Sequence, residues 1–172
     1  AITFSIPTID ITLEIDGQIT LNGTWQIPQK FHLEGVGRAV GTSRYYTNIG
    51  KIVGPSSADT PALYYFNQNG PNIVRRIAIS SNSANAAAIK IKGGSSKIIE
   101  EVGIDLNASG AEGIYCETTF WIEMNRIGIV GSPGKGYCIH LCEKGNGGYI
   151  GLIRIRLAQL WCKGVLIDGD LS

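Results

Sequence analysis

Acid–base and recognition chemistry in this chain rests on few side chains. Tyr115 and His140 are 25 residues apart, and Glu117 and Asp168 are 51 apart, two steps of nearly the same length. Lys90 and Lys92 stand one 25-residue step before Tyr115 and Glu117. Two carboxylates can serve as general acid and base on a glycosidic bond. A histidine moves protons near neutral pH. A tyrosine ring stacks on a sugar face, and lysines meet acidic groups. The candidate catalytic residues are therefore Glu117, Asp168, His140 and Asp105, the last a lone carboxylate in an otherwise apolar run. The candidate substrate-binding residues are Tyr115, Lys90, Lys92 and Trp121. The competing reading is ordinary polar decoration of a solvated surface.

Other chemistries lack their motifs. Gly35-Val36-Gly37 has neither the third glycine nor the helix of a dinucleotide site, and the Gly145–Gly148 loop lacks a phosphate-binding lysine. No GxSxG nucleophile turn occurs. Two histidines and four cysteines without zinc spacing predict no metal site. A formal net charge of +1 gives no global field for nucleic acid or membranes, and no apolar run reaches the ~18 residues of a membrane span. The N-terminus AITFSIPTIDITLEIDG has no basic flank and no unbroken apolar stretch, so it does not read as an intact signal peptide.

The elements that must position these side chains come from an internal repeat. NIVRRIAIS near residue 76 is followed 25 residues on by KIIEEVGID, then by IEMNRIGIV, then after 26 by YIGLIRIRL. Apolar residues fall in columns: Val74, Ile99, Met124, Ile150; Ile77, Val102, Ile127, Ile153; Ile79, Ile104, Ile129, Ile155. A second strand repeats in phase, with Ile89, Ile114, Ile139, Val165 and Ile91, Cys116, Leu141, Ile167. A weaker copy precedes them, matching Ile49, Ile52 and Gly54 to the first strand and Tyr64 and Phe66 to the second. Short β-branched runs broken by glycine exclude a helical array. Inward and outward alternation, with like residues stacked about 4.8 Å apart, predicts an all-β, right-handed parallel β-helix of about five rungs over residues 45–172. Residues 1–44 are expected to form irregular entry or capping strands. Asn82 and Asn107 are expected to stack, although Ser132 breaks the series.

Between the core columns lie outward ones. Arg76, Glu101 and Arg126 alternate in sign, an exposed ladder worth little per pair. Ala78, Gly103, Gly128 and Arg154 form a mostly small-residue column, the floor of a shallow groove. Tyr64 is placed in the core and Tyr65 outside. Trp121 and Trp161 do not align and form no ladder.

Ile27-Pro28, the run His32-Leu33-Glu34-Gly35-Val36-Gly37-Arg38, and Gly41-Thr42 resemble the entry region of the pectate-lyase-like superfamily, which includes phage tailspikes and polysaccharide-degrading β-helix proteins. The resemblance covers most of the chain as a fold-level pattern. It implies a polysaccharide ligand, bound and, if the protein is an enzyme, cleaved by a lyase or hydrolase; Ca²⁺ is implied only for a lyase. It also implies a homo-oligomer, a trimer by the tailspike precedent, at a virion tail or outside the cell. The alternative is a structural or adhesive β-helix segment without chemistry. Cys116 reads as an apolar filler. Cys138 and Cys142, four apart on one strand, are separated by roughly 13 Å at strand rise, too far to bridge. Free thiols are therefore expected, as for phage proteins assembled in a reducing cytoplasm. The last strand, with Val165 and Ile167, has nothing after it to cover it. Continuation past Ser172, or cover by another chain, is therefore expected.

Overall fold

A computed structural model describes residues 9–36, 40–42, 45–47, 50–131, 135–143 and 150–169. They form β1 (Ile11–Ile15), β2 (Gln18–Thr20), β3 (Trp25–Gln26), β4 (Phe31–Gly35), β5 (Val40–Thr42), β6 (Tyr45–Thr47), β7 (Gly50–Val53) and β8 (Leu63–Arg75). Then come β9 (Ile77–Ser81), β10 (Ala87–Glu100), β11 (Gly103–Leu106), β12 (Glu112–Glu117), β13 (Phe120–Gly131), β14 (Ile139–Glu143), β15 (Ile153–Trp161) and β16 (Val165–Gly169). The class is all-β, as expected. Fourteen strands share one sheet, nearly closed on itself around the apolar core; β5 and β6 make a separate antiparallel pair.

Every pairing in the large sheet is parallel, and the pairings fall into three stacks. The first runs β1, β4, the end of β8, the end of β10, the start of β13 and the start of β15. The second runs β2, β7, β9, β11, and the ends of β13 and β15. The third runs β3, then the first halves of β8 and β10, then β12, β14 and β16. The four short N-terminal strands thus pair into the same stacks as the repeat.

The central columns are as the sequence places them. Ile79, Ile104 and Ile129 stack in register, as do Val74, Ile99 and Met124, and all six are at most 2 % exposed. Each such isoleucine removed from water contributes ~1.5–3 kcal/mol, which makes these columns the main stabilising element. Cys116 lies between Ile91 and Leu141, fully buried, its thiol pushed up to about 12 by burial and so protonated.

The inward positions are three apart and then two apart (74, 77, 79), a spacing no straight strand produces. The solution is a corner. Arg76, Glu101 and Arg126 adopt φ of 56°, 52° and 53°, turning the chain so that the residues two before (Val74, Ile99, Met124) and one after (Ile77, Val102, Ile127) all point inward. This left-handed conformation costs an L-residue ~1–2 kcal/mol. Corner-to-corner bonding offsets it: the Arg76 N–H donates to Glu100 O at 3.0 Å, the Glu101 N–H donates to Asn125 O at 2.9 Å, and Arg126 pairs with Glu101 at 2.7 Å. The column read as a flat charge ladder is therefore a row of corners. Arg76 also pairs with Glu34, which Arg75 grips through Nε at 2.8 Å.

The outer copies of the repeat are shifted from their expected alignment. Leu63 pairs with Ile89 and Tyr65 with Ile91, so Leu63 and Tyr65 are core while Tyr64 and Phe66 face out. One additional residue within β8, between Asn69 and Asn72 where β10 has Ser95 and Lys97, reverses the face of the first half of the strand. Gly50, not Ile52, pairs with Ile77, and Ile52, not Gly54, pairs with Ile79; Ile49, expected in the Val74 column, lies outside the described residues. At the other end Ile122 pairs with Ile153, Met124 with Ile155 and Ile129 with Leu160, a step of 31 rather than 26. Arg154 accordingly faces Glu123, and Gln159 continues the small-residue column after Gly128. The asparagine stack forms, with Asn107 Nδ2 donating to Asn82 Oδ1 at 2.9 Å; Ser132 lies outside the described residues.

The expectation of free thiols fails for two cysteines. Cys138 and Cys162 form a disulfide, their Cα atoms 5.8 Å apart, while Cys116 and Cys142 are free. The sequence reading measured distances along one strand. The partner comes instead from the next level, where β16 lies beside β14 and brings the turn before it against Cys138.

Tyr65 offers a test of this register. Its ring is 2 % exposed and its hydroxyl has no hydrogen-bond partner. Burial pushes the hydroxyl far above its ordinary pKa. Removing a buried unsatisfied hydroxyl relieves a desolvation cost of ~1 kcal/mol. Tyr65→Phe is therefore expected to raise the urea midpoint. An unchanged midpoint would place the Tyr65 hydroxyl in solvent, and a loss of stability of ~1 kcal/mol or more would mean that it is hydrogen-bonded; either outcome contradicts this packing.

Candidate functional site

The outer face of the third stack gathers most of the candidate residues. Along it runs Gln26, Tyr64, Lys90, Tyr115, His140 and Leu166, each paired in register with the next. Two residues further along each strand runs Phe66, Lys92, Glu117, Cys142 and Asp168. Parallel in-register pairing sets these side chains side by side, one strand spacing apart, because from Tyr64 onward the repeat length stays at 25 or 26 residues.

The first row is a ladder of rings and one cation. Lys90 Nζ stands 5.8 Å from the Tyr64 ring centre and 5.4 Å from that of Tyr115. Tyr115 meets His140 edge-on at 4.9 Å, and Tyr137 flanks His140 at 5.9 Å with Lys163 over its outer face. Cation–π contacts of this kind are worth ~0.5–1 kcal/mol at exposed sites, enough to hold the rings in place. The second row is ionic. Lys92 Nζ binds Glu117 Oε1 at 2.8 Å, and the Tyr115 hydroxyl donates to Glu117 Oε2 at 3.3 Å. Glu117 is 7 % exposed. Its contact raises the Lys92 ammonium above its usual pKa, by hydrogen bond first and charge second. Burial, with Cys142 and Glu117 nearby, keeps the Tyr115 hydroxyl protonated to well above its ordinary pKa.

His140 is held by a residue the sequence reading missed. Glu112 Oε1 lies 2.9 Å from His140 Nδ1. A carboxylate can only accept, so Nδ1 carries the proton and the Nε2 lone pair faces away from Glu112. That atom is buried without a hydrogen-bond partner, 3.9 Å from Asp168 Oδ2. Glu112 stands outside the columns of the repeat. It falls 28 residues before His140, one level below it and just ahead of Tyr115 on the same strand. Beside this cluster is a depression of about 210 Å³, with Asp59, Asn85, Lys90, Glu112 and Tyr115 among its lining residues.

The remaining candidates stand elsewhere. Asp105 is on β11, in the second stack, paired between Ser80 and Val130. It is exposed, and its carboxyl is raised by desolvation, partly offset by Lys51. Trp121 is 58 % exposed at φ 62°, near the start of β13 in the first stack; Trp161, 55 % exposed, ends β15 in the second. Glu117 and Asp168 are on one face with Cys142 between them. Two strand spacings put them roughly 10 Å apart, at the outer limit of the ~6.5–9.5 Å of an inverting carboxylate pair.

No family model, curated protein or solved structure matches this chain.

Proposed function

We propose that this protein is a right-handed parallel β-helix of the pectate-lyase-like kind that binds an acidic polysaccharide across its third stack. Three parallel stacks whose central levels return every 25 or 26 residues support the β-helix. The observation that carries the function is the ladder Tyr64–Lys90–Tyr115–His140, with Lys92 alongside and the depression at its edge. Repeating rings about one strand spacing apart offer stacking platforms to successive sugars, and the lysines favour uronate or other anionic residues. The face is a binding surface rather than a hydrolytic centre. Glu117 is already neutralised by Lys92 and hydrogen-bonded by Tyr115, and Asp168 is two strands away. The disulfide supports a place outside the cell or on a virion, where such bonds persist.

Calorimetric titration with acidic and neutral polysaccharides tests this reading. Acidic polymers are expected to bind more tightly, with affinity falling as salt rises. Tyr115→Ala is expected to weaken binding about tenfold, the ~1.4 kcal/mol of one lost stacking platform. Asp105→Asn, on another stack, is expected to leave it unchanged. Equal binding by wild type and Tyr115→Ala would sink the proposal.

A further inference from the structure

We infer that His140, Cys142 and Asp168 form a binding site for a transition-metal ion of the zinc type. A ring nitrogen of His140, Cys142 Sγ and an Asp168 carboxylate oxygen all lie within 4.8 Å of one another, and His140 Nε2 is 3.9 Å from Asp168 Oδ2. The fold dictates this meeting. His140 and Cys142 are two apart on β14 and so share its outer face, while Asp168 is the in-register neighbour of Cys142 on β16. A tetrahedral ion with bonds of ~2.0–2.3 Å separates its ligand atoms by about 3.5 Å. Asp168 is exposed, and rotation of its carboxylate closes the set around an ion.

Independent features of the site point the same way. The Nε2 of His140 is buried and makes no hydrogen bond, a costly state for a polar atom that a metal would relieve. Glu112 on Nδ1 fixes the tautomer that presents Nε2 as a lone pair, the arrangement that supports metal-bound histidines. Cys142 is buried and not in a disulfide, so its sulfur is not committed to a covalent partner. One thiolate, one imidazole and one carboxylate offset a divalent charge and favour a borderline-soft ion over Ca²⁺ or Mg²⁺. Solvent at the Asp168 side can supply the fourth ligand. This inference does not rest on glycan binding. An ion here would also occupy the Nε2 lone pair and take His140 out of proton transfer.

Titrating the metal-free full chain with Co²⁺, with the Cys138–Cys162 disulfide intact and Cys142 kept as a free thiol, tests the site. One equivalent is expected to give a thiolate-to-cobalt charge-transfer band in the near ultraviolet, and Zn²⁺ is expected to bleach it, since zinc binds more tightly than cobalt. Cys142→Ser should abolish the band, and Cys116→Ser should keep it. Glu112→Gln should keep the band but weaken affinity about 10–100-fold. No band in the wild type, or a band that survives Cys142→Ser, overturns the inference. If Cys142→Ser loses its β-sheet circular dichroism, the exposed Asp168→Asn decides: weaker Co²⁺ binding supports the site and unchanged binding overturns it.

Discussion

Lys97→Met is expected to lower the unfolding free energy by about 3 kcal/mol, although it replaces a charged residue in the interior with an apolar one of similar length. Lys97 is 2 % exposed and occupies a column with Asn72 and Ile122, at the bend leading into the first stack. Its ammonium donates to three carbonyls: Gln68 at 3.0 Å, Gly70 at 3.0 Å and Ser95 at 2.6 Å. Asn72, one level earlier, does the same for Pro28 and Phe31, at 2.9 Å each. Corners of this fold turn backbone carbonyls out of the sheet ladder, and a buried donor is needed to satisfy them. Methionine leaves three acceptors unpaired at ~1 kcal/mol or more each.

The pH dependence has a definite sign. Burial pushes the Lys97 ammonium down to about 8 from 10.5. Between those values the unfolded chain holds more protons than the native one, so Lys97 makes stability rise with pH. Cys116 acts in the opposite sense from pH 9 upward, because its thiol ionises near 9 when unfolded and only near 12 when folded. Lys92, with its pKa raised, adds stability that is lost only above its ordinary 10.5. The clean window is therefore pH 8 to 9. Urea titrations there should show the gap between wild type and Lys97→Met widening with pH. An unchanged midpoint in Lys97→Met, or a gap that narrows, would contradict the structure at this corner.

What the sequence made legible follows from what a repeat encodes. Columns such as Ile79–Ile104–Ile129 were readable because each β-branched side chain must stack on its like, and that demand is periodic. Register was readable only where the turns kept their length. One additional residue within β8, between Asn69 and Asn72, put Tyr65 inside in place of Tyr64, and a longer connection before β15 moved the pairing of Ile122 to Ile153. Such shifts leave the apolar pattern nearly intact, since Leu63, Tyr64, Tyr65 and Phe66 fit either phase. The row from Lys90 to His140 was predictable because the third stack holds its period. Glu112 was not, because it reaches across to the next level rather than lying in the same column. The Cys138–Cys162 bond escaped for the same reason: two residues in successive turns are neighbours in space without being aligned in the repeat. The corner residues were hidden differently. Nothing in the type of Arg76, Glu101 or Arg126 marks a left-handed conformation; only the three-then-two spacing around them does.

Gly94→Ala is expected to cost about 3 kcal/mol or more, and two other glycines separate its causes. Gly94 has φ 78°, and a Cβ there would press on the backbone of Gln68, its neighbour in the previous level, with Gln68 N at 2.6 Å and Gln68 C at 2.7 Å. Alanine therefore meets both a backbone penalty of ~1–2 kcal/mol and a clash of ~1–3 kcal/mol that no rotamer change can relieve. Gly17 has φ 94° and open space around it, so Gly17→Ala incurs the backbone penalty alone. Gly23 has neither the positive φ nor a neighbour within 4 Å, and Gly23→Ala should be close to neutral. Urea midpoints should fall in the order Gly23→Ala, Gly17→Ala, Gly94→Ala, and equal losses for the last two would remove the packing argument. The consequence reaches the face proposed to bind polysaccharide. Gly94 lies between Lys92 and Lys97, where the register of β10 on β8 slips by one residue. Pushing Gln68 away there strains the pairing that sets Lys90 over Tyr64 and Tyr115. A Gly94→Ala protein that still folds should therefore bind acidic polysaccharide more weakly, while Gly17→Ala, on the turn between β1 and β2, should bind normally. That contrast ties the ligand face to the register of the sheet and not merely to the presence of its side chains.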